Sequence, residues 1–130
     1  MKAMYVSESG CIPYAAAIVG GYKTLETRNR DMLKALVGER VAVIRTRRGK
    51  PSAIVGAVDI TGKQFVSAAG FRELNSKHLV PPGSKYDATG RGKWCYSCAA
   101  PKACDPIPLP PETINHGRSW CEIPDIPELL

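Results

Sequence analysis

Gly20-Gly21-Tyr22-Lys23-Thr24-Leu25-Glu26-Thr27-Arg28 is the stretch on which the fold turns. It follows an apolar run, Pro13-Tyr14-Ala15-Ala16-Ala17-Ile18-Val19, long enough for about two helical turns. Pro13 suits the first turn of a helix, and the glycine pair stops one. The chain then re-extends. On a strand, Thr24, Glu26 and Arg28 share one face, and Leu25 and Thr27 take the other. Lys23 is out of phase and joins Glu26 and Arg28 only from the turn ahead of the strand. Two cations and a carboxylate within six residues have two readings. They bound a polar surface that grips a phosphate, a base edge or a sugar, or they are a solvated surface pair worth little.

Size and composition bound the answer independently. The 130 residues suit a single domain, 1–130, with its core over about 2–123 and a Pro-rich tail at 124–130. Hydrophobic residues make up 44%, enough for one core, while eleven Pro and twelve Gly imply many turns and short elements. No apolar run approaches the ~20 residues of a membrane span. Met1-Lys2-Ala3-Met4-Tyr5-Val6 lacks the apolar region of a signal peptide, so a cytoplasmic protein without a membrane partner is expected. Five cysteines cannot all pair, which fits a reducing compartment. The formal net charge is +6. Residues 1–65 hold eleven Lys/Arg against five Asp/Glu, and residues 66–130 hold seven of each. The whole excess lies in the first half, which favours a polyanion partner.

Lys2 to Val6 reads as a first strand, Ser7-Glu8-Ser9-Gly10 as a turn, and Cys11 as a small buried apolar residue. Met32, Leu33, Leu36 and Val37 are spaced as one face of a short helix over about 31–37, capped by Asn29 or Asp31 and ended by Gly38. Arg40 to Thr46 and Ser52 to Ile60 read as paired strands. Arg47-Arg48-Gly49-Lys50-Pro51 is then a hairpin loop with a cationic tip. With Arg45 it is either a solubilising loop that blunts an edge or a phosphate clamp. It has no interleaved aromatic, so base stacking is not expected there.

Thr61-Gly62-Lys63 reads as a turn and Gln64 to Ala68 as a short strand. Residues 69–79 are ambiguous, with Phe71, Leu74 and His78 spaced for one helical face; His78 reads as a boundary histidine. Residues 81–92 are a loop by composition. At ~12 residues it is near the limit for a structureless connection, either a flap over a site or a mobile surface loop. Tyr86, Arg91 and Lys93 would bring a stacking ring and cations. Lys93 to Ala99 reads as a strand with Trp94, Tyr96 and Cys98 on one face and Cys95 and Ser97 on the other. Pro106 to Pro111 must be extended and cannot be a central strand. Gly117 to Ile123 reads as the last strand.

Cys95, Cys98, Cys104 and Cys121 offer four thiolates, a set compatible with tetrahedral zinc. The spacing lacks a second Cys-x2-Cys, and a strand would turn Cys95 and Cys98 to opposite faces. No metal or other cofactor is therefore expected, and the zinc set is the alternative.

Pro13-Tyr14-Ala15, the short helix and Gly21-Tyr22-Lys23-Thr24-Leu25-Glu26-Thr27-Arg28 resemble the opening signature of the ASCH family, a branch of the PUA-like fold. Gly38 before Arg40-Val41-Ala42-Val43-Ile44, then Ile54-Val55-Gly56-Ala57-Val58, Gly92-Lys93-Trp94 and His116-Gly117-Arg118-Ser119-Trp120 resemble its later elements, in order, over roughly residues 11 to 122. The residue pattern alone supports a β-rich α+β domain, because strands outnumber helices and no βαβ alternation is visible. The resemblance implies the rest: a small PUA-like, mostly antiparallel β-barrel with two or three short helices.

The resemblance also implies function. PUA-like domains are RNA-associated, and the ASCH family is proposed to act on RNA or its modified nucleosides. Lys23, Thr24, Glu26 and Arg28 would line a cleft for RNA or a nucleotide. Arg45, Arg47, Arg48 and Lys50 would hold phosphates, and Tyr86 would supply a ring. The alternative is a hydrolase acting on RNA or an acylated cytidine nucleoside, with Lys23 and Glu26 as the catalytic pair. In the family's amidohydrolases a Thr nucleophile stands three residues after the Lys. Here that position is Glu26, while Thr24 follows Lys23 directly, and the family's catalytic Glu cannot be placed. A third reading is a protein-interaction domain with a vestigial cleft.

Overall fold

Runs of β-branched and small apolar residues on both sides of the Arg48-Gly49 tip build the spine of the sheet. The computed structural model describes residues 1–8 and 12–130. The end of the expected Ser7–Gly10 turn and the reading of Cys11 lie outside the described residues. The strands are β1 (Lys2–Ser7), β2 (Leu25–Arg28), β3 (Arg40–Arg47), β4 (Lys50–Val66), β5 (Lys93–Pro108), β6 (Ile114–His116) and β7 (Trp120–Glu122). The helices are α1 (Tyr14–Val19), α2 (Ala68–Glu73) and α3 (Asn75–His78).

One seven-stranded sheet runs in the order β2-β5-β4-β3-β1-β7-β6. β1 lies parallel to β3, and the other pairings are antiparallel. The class is α+β, as expected. The ladder is open, with β2 and β6 at its two ends. The barrel implied by the resemblance is therefore not a closed hydrogen-bonded ring. The β3–β4 hairpin forms, with a tighter tip than the expected Arg47–Pro51 loop: Arg47 stands opposite Lys50, and only Arg48 and Gly49, the latter at φ 73°, make the turn.

Four expectations change. First, Thr61-Gly62-Lys63 is not a turn. β4 runs straight through it, with Gly62 opposite Ser97, and register shifts between Ala57 and Asp59 and between Ile60 and Gly62 bend the strand without ending it. Second, the strand expected over Lys93 to Ala99 does not end there: β5 runs on through Pro106 and Pro108, extended as read, where Ile107 pairs with Ile54 and Pro108 with Ala53. Proline is tolerated because β5 there pairs only with β4; its other neighbour, β2, stops at Ser97. Third, the helix over 31–37 shrinks to one 3₁₀ turn, Lys34–Leu36. Asp31 caps nothing; its carboxylate accepts from the Tyr96 hydroxyl at 2.7 Å and pairs with Lys63. Leu33 and Leu36 are nonetheless fully buried. Fourth, β6 adds a strand that the sequence reading lacked, turned back onto β7 at Gly117.

Two apolar clusters stabilise the sheet. The larger gathers Met4, Val6, Val41, Val43, Val58 and Ile60 with α1, Leu33, Leu36 and Phe71. The smaller gathers Ala3, Ala42, Ile44, Ile54, Ala57 and Cys121 with Ile123 and Leu129. The Pro-rich end is thus not a free tail. Leu129 is fully buried, and its carbonyl accepts from Arg40 Nε at 2.6 Å. Leu129→Ala should destabilise the protein by about 2–3 kcal/mol in urea melts, the usual cost of emptying a buried leucine site. A change under about 0.5 kcal/mol would show that the end does not dock in solution.

Candidate functional site

The chain after α1 is built to bury a lysine. Ala15, Ile18 and Val19 anchor the helix in the larger cluster. Gly20 and Gly21, the latter at φ 82°, reverse the chain. The amides of Tyr22 and Lys23 then both donate to the Ala17 carbonyl at 2.9 Å. This tight wrap turns the Lys23 side chain inward, where only 1% of the residue is exposed. Its ammonium donates to the His78 carbonyl and stands 3.8 Å from Glu26 Oε1 and 5.0 Å from the centre of the Tyr14 ring.

Glu26 is the buried carboxylate at the centre of the site. Its Oε1 accepts from the Thr27 amide at 3.0 Å, and its Oε2 accepts from Arg28 Nη2 at 3.0 Å. Burial pushes the Glu26 carboxyl up. Arg28, Lys23 and the Thr27 N–H together outweigh that and hold it below the usual carboxylate range. Burial lowers Lys23, opposed by Glu26, and it lowers Lys93 in the same way. Lys93 is 2% exposed and donates to the Tyr86 carbonyl at 2.9 Å.

These groups floor a cleft of about 310 Å³ at the seam of the open sheet. One wall is Tyr5 to Ser7 of β1 with Thr46 of β3, and the other is Glu26 to Asn29 along β2. Arg28 crosses the seam, donating to the Tyr5 carbonyl at 2.5 Å. Tyr14 and Tyr86 form an edge-to-face pair at one side, ring centres 5.9 Å apart, and Arg118 lies on the lining as well.

The loop at 81–92 has an internal frame. Asp87 accepts from the Gly83 amide at 2.7 Å and the Ala88 amide at 2.8 Å, and Arg72 is 3.7 Å away. The Gly83 N–H is the main reason its carboxyl lies below the ordinary range. This frame sets Tyr86 against Tyr14.

His78 is not at a boundary. It is fully buried and stacks on Phe71 with ring centres 3.9 Å apart. Its Nε2 is 2.6 Å from the Phe71 carbonyl, and its Nδ1 accepts from the Val80 amide at 2.9 Å. Both nitrogens are therefore satisfied in the neutral ring. Burial lowers its pKa from 6.5. Since the unfolded chain takes up a proton that the folded ring resists, stability should fall as pH drops below about 6.5. His78→Gln should flatten that part of the pH–stability curve; an identical slope in the variant would assign it to other groups.

Of the sequence-predicted residues, the fold brings Lys23, Glu26, Arg28 and Tyr86 together. It does not bring in Thr24, which is exposed and outside the cleft; its backbone pairs with Lys77 and Cys98. Thr27 takes its place on the lining. Arg45, Arg47 and Lys50 line a separate groove, and Arg48 is exposed at the hairpin tip. The four thiols do not converge. Cys95 and Cys98 both lie in the larger cluster, while Cys121 and Cys104 belong to the smaller. Among the described residues no group of three or more His, Cys, Asp or Glu could hold a metal. Sequence reading missed Tyr14, Thr27 and Arg118. Tyr14 had a signal, its place at the start of the short helix that leads to Lys23; Arg118 had none.

No protein-family model matches the chain, and no curated protein matches it. Solved structures do, and the α+β fold of this chain is similar to theirs. Among the matches are three structures of an ASCH protein from Zymomonas mobilis, each with a TM-score of 0.65. A tyrosine-to-phenylalanine mutant is 22% identical, over 84% of this chain and 77% of that one. A serine-to-alanine mutant is 20% identical and the unmutated protein 21%, each over 82% of this chain and 73% of that one. At this identity the likeness shows the fold. No helix among the described residues is long and apolar enough to cross a membrane.

Proposed function

We propose that this chain is an ASCH-family protein and that its cleft binds RNA or a nucleotide. One observation carries the reading: a single buried carboxylate, Glu26, faces three cations, Lys23, Arg28 and Lys93, beneath a tyrosine pair. Glu26 pairs with Arg28 at 3.0 Å and with Lys23 at 3.8 Å, so one carboxylate against three formal cations leaves a positive excess to attract an anion. Tyr86, held edge-to-face against the buried Tyr14, places an aromatic ring on the lining for a base. The cleft volume falls at the small end of sites for small ligands. On this reading the curled sheet is a PUA-like barrel left open at the seam that the cleft occupies, and the positive first half of the chain draws the polyanion in.

A hydrolase acting on RNA or a modified nucleoside is the second reading, favoured by the 3.8 Å approach of Lys23 to Glu26. Both Glu26 oxygens are already engaged. It would serve as a general base only after shedding Arg28 or the Thr27 amide.

The test is titration with nucleoside monophosphates and single-stranded RNA, with product analysis on the same samples. Arg28→Met should weaken nucleotide binding at least tenfold. Turnover that disappears in Lys23→Ala would move the protein to the hydrolase class. Absence of any binding at low salt would sink both readings.

A further inference from the structure

The cations of the β3–β4 hairpin do not serve the cleft. Alternate residues of a strand point to opposite faces. Thr46 lines the cleft, while its neighbours Arg45 and Arg47 line a second groove of about 250 Å³ with Lys50, Pro106 and Pro108. The lining of this groove includes no acidic residue. Among the described residues, Arg45, Arg47, Arg48 and Lys50 form no ion pair. Among the described residues the Nε of Arg45 is buried and has no hydrogen-bond partner. A buried donor of that kind is costly, and a shift of the side chain towards a phosphate oxygen in the groove would satisfy it with added charge.

Resting on the nucleotide reading of the cleft, we propose that the two grooves are successive subsites for one single strand of RNA. The strand crosses the end of β3. One base enters the cleft beside Tyr14 and Tyr86, and later phosphates lie on Arg45, Arg47 and Lys50. The grooves open on opposite sides of β3, so a mononucleotide occupies one of them only. A duplex keeps its bases stacked and paired, whereas a cleft of this size admits a single unstacked base. Pro106 and Pro108 have no N–H, so they present rings rather than donors along the path.

The experiment is fluorescence anisotropy with a labelled mononucleotide and single-stranded RNAs of two, four and eight nucleotides. It compares the wild type, the double variant Arg47→Ala/Lys50→Ala, and Arg28→Met across a salt series. In the wild type the octamer should bind at least tenfold tighter than the dinucleotide. In the double variant that ratio should fall towards one. The log–log salt slope for the octamer should shrink by about 1.4, from two lost single-strand phosphate contacts. Arg28→Met should weaken mononucleotide and octamer together.

An unchanged octamer-to-dinucleotide ratio in the double variant overturns the second subsite. If the mononucleotide still binds in an Arg28-dependent way, the cleft reading then survives alone. An octamer that depends on the hairpin while the mononucleotide does not bind overturns the cleft reading and the shared path with it. Equal binding of duplex RNA, or displacement of the octamer by an equal concentration of octaglutamate, overturns the single-strand assignment.

Discussion

Glu26→Gln should cost about 3 kcal/mol at neutral pH, although it adds no volume and leaves an acceptor for the Thr27 amide. The cost comes from charge. Lys23 is buried 3.8 Å from Glu26, Arg28 is 3.0 Å away, and Lys93 is buried within electrostatic reach. Removing one member of a buried ion pair leaves the other without compensation, typically worth about 3–5 kcal/mol; the retained hydrogen bonds put this case at the low end. The pH dependence carries a second signature. In the wild type the depressed Glu26 carboxyl contributes stability that is present above its unfolded value, 4.5, and is lost as pH falls through the folded one. In the variant that acid limb should disappear. Its deficit should instead shrink at alkaline pH, as Lys23 and Lys93 shed their protons. Phosphate should stabilise the variant more than the wild type, because an anion bound only by the folded state adds stability by linkage. Urea melts from pH 3 to pH 10, with and without phosphate, measure all three. A variant as stable as the wild type at pH 7 would mean that these cations do not depend on Glu26 for compensation.

Gly56→Ala should be the most damaging methyl group in the molecule, destabilising by at least about 3 kcal/mol or blocking folding. A Cβ there would lie 2.2 Å from the Lys102 carbonyl oxygen and 2.7 Å from Val19 Cγ1. The first contact is backbone across the β4–β5 ladder, and the second is the helix that leads to Lys23. β4 can take the methyl only by parting from β5 and lifting α1, so the cleft floor is lost with the core. Gly38→Ala is the matched control. Gly38 also has a positive φ, 87°, but nothing lies within 4 Å of its added carbon. It should cost about 1 kcal/mol, the conformational term alone. Thermal melts of the two variants side by side decide the point, and similar losses would mean that the sheet opens there at little cost.

What the sequence disclosed follows from which physical signals are local. The helix, the glycine pair and the strand behind it are written in consecutive residues, so the meeting of Lys23, Glu26 and Arg28 was legible. So was the basic hairpin, where two β-branched runs flank Gly49. The exchange of Thr24 for Thr27 was not. Strand alternation assumes one buried face, but Leu25, Glu26 and Thr27 are all buried because β2 lies between the core and the seam. Gly62 and the Pro106 to Pro108 segment carry the marks of chain breaks. Whether such residues end a strand depends on the neighbour across the sheet, and β4 and β5 each had a partner long enough to carry them through as bulges and edge. Asp31 failed as a helix cap because Tyr96 and Lys63, distant in the chain, claimed its carboxylate. The burial of Leu129 depends on where the last residues return, which no periodicity in 124–130 records.

Backbone amide shift mapping during titration with a nucleoside 5′-monophosphate tests the cleft most directly. Saturable shifts should concentrate at Glu26, Thr27 and Arg28, at Lys93, and in the 81–92 loop around Tyr86, and they should weaken as salt is raised. Shifts confined to the Arg45–Lys50 hairpin, or none at all at low salt, would contradict a nucleotide site built on Lys23, Glu26 and Arg28.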